Sequence, residues 1–204
     1  MELVGTTALI VIDVQKGEVL DGDHGVPVMA GGEQRHERTR RLLAGARAAG
    51  IPPIFIQEIH KPSLMDFGRE LDGEEGVHCL EGDLATELAD GLEPAPDEYL
   101  IRKRRYSAFF ATELDLVLKS YGARSLVLVG ALTDVCVHYT FADAHQHDYR
   151  CHVVTDCVGG SSLQAHEAAL AAMKYLQRGC LVTSTEVLAA FAKVGEPRGV
   201  EVPV

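Results

Sequence analysis

No run of apolar residues in this sequence approaches the ~20 needed to cross a bilayer. The opening, MELVGTTALIVIDVQ, has neither a basic leading region nor a small-residue cleavage site, so it does not read as a secretory signal. Cations are in short supply: 19 Lys and Arg stand against 30 Asp and Glu, a formal charge of −11. That balance excludes a general nucleic-acid binder, which needs clustered basic residues for phosphate. It equally disfavours an anionic membrane surface. Cysteine comes as an odd set of five (Cys79, Cys136, Cys151, Cys157, Cys180) without a CxxC pair, which suits reduced thiols in a cytoplasmic protein rather than a disulfide framework. Repeats, low-complexity tracts and linkers are also missing.

What remains is 204 residues, 47% apolar and 24% charged, the size and balance of one soluble domain over residues 1–204. Short β-type runs alternate with longer helical patterns. Thr7 to Val14 is a continuous Ile- and Val-rich run, as expected of a strand buried on both faces. A helix from Gly32 to Ala49 follows, then a strand from Pro52 to Glu58. Residues 60–97 are irregular, and an irregular segment of that length inside a domain is usually functional. Further strands are expected at Glu98–Lys103, Ser125–Ala131, Arg150–Asp156 and Cys180–Ser184. Helices are expected after Thr112, over Asp134–His147, after Ser161 or Ser162 (Leu163, Leu170, Met173 and Leu176 inward), and over Thr185–Lys193. This alternation predicts a three-layer α/β/α fold, Rossmann-like, with a mainly parallel six-stranded sheet. Ligands in such sheets bind beyond the carboxyl ends of the strands.

Three reactive side chains fall at such ends. Cys136 lies in GALTDVCVHYT, where the first turn of a helix would lower its thiol pKa and offer N–H groups to an oxyanion. Asp13 ends the apolar run ALIVI, and a carboxylate there needs a partner or a task. Lys103 lies in LIRKRRYSAFF, where strand alternation puts it on one face with Ile101 and Arg105. Each also has a plain structural reading: a buried small residue, a loop cap, a solvated basic run. Together they make a nucleophile, a base and a cation.

The segments ALIVIDVQ, RKRRYSAFFATELD and GALTDVCVHYTFADAHQHDYRCHVVTDCVGG resemble the three signature segments of the isochorismatase-like cysteine hydrolases, in order, over roughly residues 7–190. The resemblance implies a catalytic triad of Asp13, Lys103 and Cys136, a non-proline cis peptide at Ala131–Leu132, and an oxyanion hole from the Leu132 and Cys136 N–H groups. Members of the family that have the cysteine are amidases acting on nicotinamide, carbamoyl amino acids, ureido acids and biuret-like compounds, whereas true isochorismatases cleave a vinyl ether and lack it. The resemblance therefore implies a small-molecule amide or ureido substrate, and a homo-oligomer, dimer or tetramer. Gln15, His60, Tyr106 and Tyr139 are the expected substrate contacts, and Lys103 with Arg105 would suit a substrate carrying a carboxylate. VHCLEG (Val77 to Gly82) resembles a nicotinamidase segment whose His binds metal. The accompanying Asp-x-His appears here as Glu58-Ile59-His60, and no His lies between His60 and His78. No cofactor is expected. Glu58, His60 and His78 are nevertheless the residues that a divalent ion would use. Two other readings are a metal-dependent nicotinamidase and a non-catalytic protein using Cys136 as a redox switch.

Overall fold

The computed structural model describes residue 1 and residues 3–195. Its elements in chain order are β1 (Thr6–Ile12), α1 (Gly32–Ala48), β2 (Pro53–Glu58), β3 (Tyr99–Lys103), α2 (Leu114–Ser120), β4 (Ala123–Ala131), α3 (His138–Gln146), β5 (Arg150–Gly159), α4 (Leu163–Leu176), β6 (Leu181–Val182) and α5 (Ser184–Gly195). All strand pairings are parallel, in the order β3-β2-β1-β4-β5-β6.

The β1 sequence explains the layering. Ala8, Ile10 and Ile12 point into a core built with Leu114, Leu118, Phe141 and Met173 of α2, α3 and α4. Leu9 and Val11 point the other way, into a core with Leu42, Leu43 and Ala46 of α1 and Val187 and Phe191 of α5. A strand apolar on both faces must be covered on both, and each fully buried Leu or Ile contributes roughly 1.5–3 kcal/mol. Among the described residues no helix is long and apolar enough to cross a membrane.

The strand order reverses direction between β1 and β4, which opens a crevice there at their carboxyl ends. The two chains approach unusually closely. Gly130 has φ 116°, and a Cβ on it would stand 1.8 Å from the Ile12 carbonyl oxygen, so only glycine fits. The next peptide bond, Ala131–Leu132, is cis.

Several local expectations need correction. The segment after β4 is a single π-helical turn, Thr133–Val137, and regular α-helix begins only at His138, so Cys136 is not in the first turn of an α-helix. In α4 the inward stripe is His166, Ala169 and Met173. Leu163 and Leu176, expected inward, are exposed. Ser162 does start that helix, its hydroxyl accepting from the Ala165 N–H at 3.2 Å, a cap worth ~1 kcal/mol. β5 runs on to Gly159, and residues 60–97 hold two short 3-10 turns, Glu70–Asp72 and Leu84–Thr86.

Candidate active site

Four neighbouring strands deliver four side chains to one point. β1 ends at Ile12, and Asp13 follows with φ 49°, a left-handed conformation rare outside glycine. Glu58 and Lys103 are the last residues of β2 and β3 and are paired in register. Cys136 comes from the turn after β4. Lys103 Nζ lies 2.8 Å from Asp13 Oδ2 and 3.2 Å from Cys136 Sγ, and it also pairs with Glu58 Oε2. The thiol donates to Glu58 Oε2 at 3.4 Å, and an Asp13 carboxylate oxygen lies within 4.8 Å of the sulfur. The Glu58 N–H donates to Asp13 Oδ1 at 2.7 Å, which fixes the Asp13 carboxylate toward the lysine. Lys103 is 1% exposed, so its charge survives only because two carboxylates surround it.

The same surroundings sort the four groups by acidity. Burial raises the Asp13 carboxyl to about 6, against the opposing pull of Lys103. Burial acts on Glu58 too, but the Lys103 charge and hydrogen bonds from His60 and His78 overcome it and hold Glu58 well below the usual carboxylate range. Lys103 is itself buried, yet the adjacent anions hold its pKa well above normal. Burial pushes the Cys136 thiol well up, with Lys103 pulling the other way. This corrects the expectation of a thiol acidified by a helix terminus: the π-turn supplies no such terminus, and the cysteine rests as a thiol beside bases.

A cleft with an empty volume of about 680 Å³, including space open to solvent, reaches the sulfur. Asp13, Glu58, Ala131, Leu132 and Cys136 line its floor, and Gln15, Tyr106, Cys79, Val26, Val28 and Val135 line its walls. Gln15 is thus in the wall, but its amide is spent on the fold: Nε2 donates to the Glu58 and Thr86 carbonyls, and Oε1 accepts from the Glu58 N–H. Two expected substrate contacts are not in this cleft. His60 is fully buried behind it, stacked on Phe67 at 4.0 Å. Tyr139 is 52% exposed and lines a shallower outer vestibule, its ring 5.6 Å from that of Tyr106. Arg105 lines neither this cleft nor the vestibule: its Nη1 donates to the Asp66 carbonyl at 2.6 Å and to the Arg104 carbonyl, which holds the guanidinium away from a ligand in the cleft.

Glu58 faces a second cluster on its other side. Its Oε1 accepts from His78 Nε2 at 3.0 Å and from His60 Nε2 at 3.4 Å. Glu70, from the irregular segment, lies 3.2 Å from His60 Nε2 and 3.9 Å from His78 Nε2. The carboxylates drive the His60 pKa, which burial would lower, up to about 9. Donor atoms of Glu58, His60, Glu70 and His78 all fall within 4.8 Å of one another. Glu70 Oε1 is buried without a hydrogen-bond partner while Oε2 faces His60 Nε2, and His78 Nδ1 donates to the Gly76 carbonyl at 2.7 Å, which aims Nε2 into the cluster. The donor set therefore fits a divalent cation as well as it fits two protonated imidazoles.

Residues 7–187 match the isochorismatase domain. The chain belongs to the isochorismatase family. Among curated relatives of this family it is 31% identical over 214 residues to the ureidoacrylate amidohydrolase RutB of Pseudomonas savastanoi pv. phaseolicola, covering 95% of this chain and 86% of that one. It is 34% identical over 174 residues to a probable inactive nicotinamidase of Arabidopsis thaliana, covering 82% and 88%. An isochorismatase family protein from Desulfovibrio vulgaris superposes with a TM-score of 0.78 at 30% identity, covering 92% and 98% of the two chains. Such three-layer α/β hydrolases share the architecture described above.

Sequence reasoning about this family member missed two residues. Glu58 was considered only as a metal ligand, although it ends the apolar run PIFIQ as Asp13 ends ALIVI, and the same argument from a buried strand-end carboxylate applies to it. Glu70 carries no such signal, since only the path of residues 60–97 brings it inward.

Proposed function

We propose that this protein is a cysteine-dependent hydrolase of a non-peptide carbon–nitrogen bond, amide, carbamoyl or ureido, in a small molecule. The observation that carries this reading is the meeting of Cys136 Sγ, Lys103 Nζ and the Asp13 carboxylate at the floor of a cleft. The name of the Pseudomonas relative, a ureidoacrylate amidohydrolase, supports the bond type.

The acidity ranking supports a division of roles. A carboxyl titrating at about 6 is ionised near neutrality yet basic enough to take a proton, whereas Glu58, held far lower, is a poor base. Asp13 therefore accepts the thiol proton, and Lys103 stabilises the thiolate as it forms. The sulfur attacks the carbonyl carbon, and the oxyanion is received by the backbone N–H groups of Leu132 and Cys136, each donor worth about 3–4 kcal/mol in comparable sites. Protonated Asp13 returns the proton to the departing nitrogen. Water then cleaves the thioester, with Asp13 again as base. Glu58 is a positioning residue: it anchors the Lys103 ammonium, and through its own N–H it fixes Asp13.

A metal-assisted amidase is a second reading, favoured by the orphaned, buried Oε1 of Glu70. Glu58, His60, Glu70 and His78 would hold the ion, which would supply Lewis-acid polarisation of a ligand atom in the cleft. The deciding experiment for the main reading is an ammonia-release screen over nicotinamide, a carbamoyl amino acid, ureidoacrylate, biuret and maleamate, with Cys136→Ala as control. Turnover by wild type and none by Cys136→Ala is expected; equal turnover by both contradicts the mechanism. Metal analysis of the same preparation separates the second reading from the first.

A further inference from the structure

Among the described residues, the Asp, Glu and His side chains lining the cleft are Asp13, Glu18, Glu58, Glu75, His24 and His78, and no lysine or arginine lines it. Three of the four carboxylates are already matched from behind the wall. Asp13 and Glu58 share Lys103, and Glu18 is held by Arg35 at 2.7 Å and His36 at 2.7 Å. The histidines are also engaged: His78 donates to Glu58 and to the Gly76 carbonyl, and His24 Nε2 donates to the Asp21 carbonyl. Glu75 is the exception. Its nearest cation is His78 Nε2 at 4.0 Å, beyond hydrogen-bond reach, and its side chain is only 21% exposed. It stands where the cleft opens into the outer vestibule, lining both. That vestibule adds Glu70, Asp72, Glu74 and Asp134 against one guanidinium, Arg69, which is itself paired to Asp72 at 2.5 Å. A ligand entering through this mouth meets a negative field that the low-dielectric walls of the cleft concentrate.

We propose that the substrate carries no carboxylate: it is a small amide or urea whose end distal to the scissile bond presents an N–H donor or a positive charge to Glu75, which serves as the specificity determinant. The proposal rests on the amidase reading and narrows it. It separates this chain from a relative named for ureidoacrylate, an anion, because Lys103 is held between Asp13 and Glu58 beside Cys136 and Arg105 lines neither the cleft nor the vestibule, so neither stands where a distal carboxylate would lie. The remaining wall, with Val26, Val28, Ala85 and Val135, is apolar and adds no anion site.

The test uses ureidoacrylate and its choline ester, which share a scissile group and differ at the distal end, a carboxylate against a fixed positive charge. Both are measured with wild type, Glu75→Gln and Glu75→Arg as kcat/KM, and with Cys136→Ala, alone and combined with each Glu75 change, as Kd by calorimetry. Wild type should favour the ester by about tenfold or more, Glu75→Gln should shrink that ratio, and Glu75→Arg should reverse it. Preference of the wild type for the acid, a ratio unmoved by both Glu75 changes, or failure of Cys136→Ala to bind the ester at millimolar concentration overturns the proposal. Absent turnover combined with the expected Kd ratios would sink the amidase reading and leave the charge selectivity standing.

Discussion

Glu58 separates two buried clusters built from the same kinds of group. On one side lie Asp13, Lys103 and Cys136, open to the cleft; on the other lie His60, Glu70 and His78, with His60 sealed beneath Phe67. Both contain carboxylates facing cations at hydrogen-bond distance. They differ in two respects. Only the first holds a nucleophile in contact with the cleft, and there burial raises a neighbouring carboxyl, Asp13, to about 6. In the second, the His60 pKa is driven to about 9, so that ring keeps its proton near neutrality, or holds a metal in its place. A buried charge cluster by itself does not mark catalysis; access and a poised acidity do.

The contrast can be broken at its hinge. Lys103→Met leaves Asp13 and Glu58 as buried, uncompensated carboxylates. Turnover should fall to background and stability by about 3–5 kcal/mol, read by urea unfolding, since removing one partner of a buried pair strands the other. A variant folding as stably as wild type would show the ion pairs to be dispensable. Asp13→Asn removes the base while keeping its shape, and kcat/KM should drop about 10²–10⁴-fold. In wild type the same group sets the acid limb of the rate profile. Asp13 must be ionised to act, its pKa is raised to about 6, and kcat/KM should therefore rise tenfold per pH unit below 6 and level off above it. A limb near 4 would assign the base to an ordinary exposed carboxylate instead.

A smaller effect concerns a histidine with no cluster at all. His152 in β5 is 2% exposed, neither ring nitrogen has a partner, and burial lowers its pKa to about 4. The unfolded chain binds this proton near 6.5 and the folded chain only near 4, so stability is lost as pH falls through that window. Between pH 7 and pH 5 the loss should be about 1–2 kcal/mol, and His152→Leu should abolish this part of the pH dependence. An unchanged pH slope in the variant would show that the ring finds a partner.

The layered fold could be read from the sequence because β1 and the second half of β4 are continuous apolar runs, which only a sheet covered on both faces accommodates. Asp13, Lys103 and Cys136 stood out because each falls at or just beyond the carboxyl end of an expected strand, where ligands bind in such sheets. The rest depended on information that periodicity does not carry. In α4 Met173 is buried and Leu170 packs against the core as expected, but Leu163 and Leu176 do not turn inward, since the buried face uses His166, whose Nδ1 meets the Thr133 hydroxyl at 2.9 Å, and the small Ala169. Arg105 was expected to face a substrate, but the chain bends after Lys103 and its guanidinium closes onto backbone carbonyls. His60 and Tyr139 were placed at the cleft by adjacency along the chain, and the irregular segment and α3 instead carry one behind it and the other to its outer rim.

The most direct test of the central claim is to find which atom becomes acylated. Rapid acid quenching during turnover of a substrate identified by the ammonia screen, followed by peptide mass analysis, should reveal the acyl group on the peptide bearing Cys136, and none in Cys136→Ala. An adduct on Cys79 instead, or full turnover by Cys136→Ala without any adduct, would contradict the account.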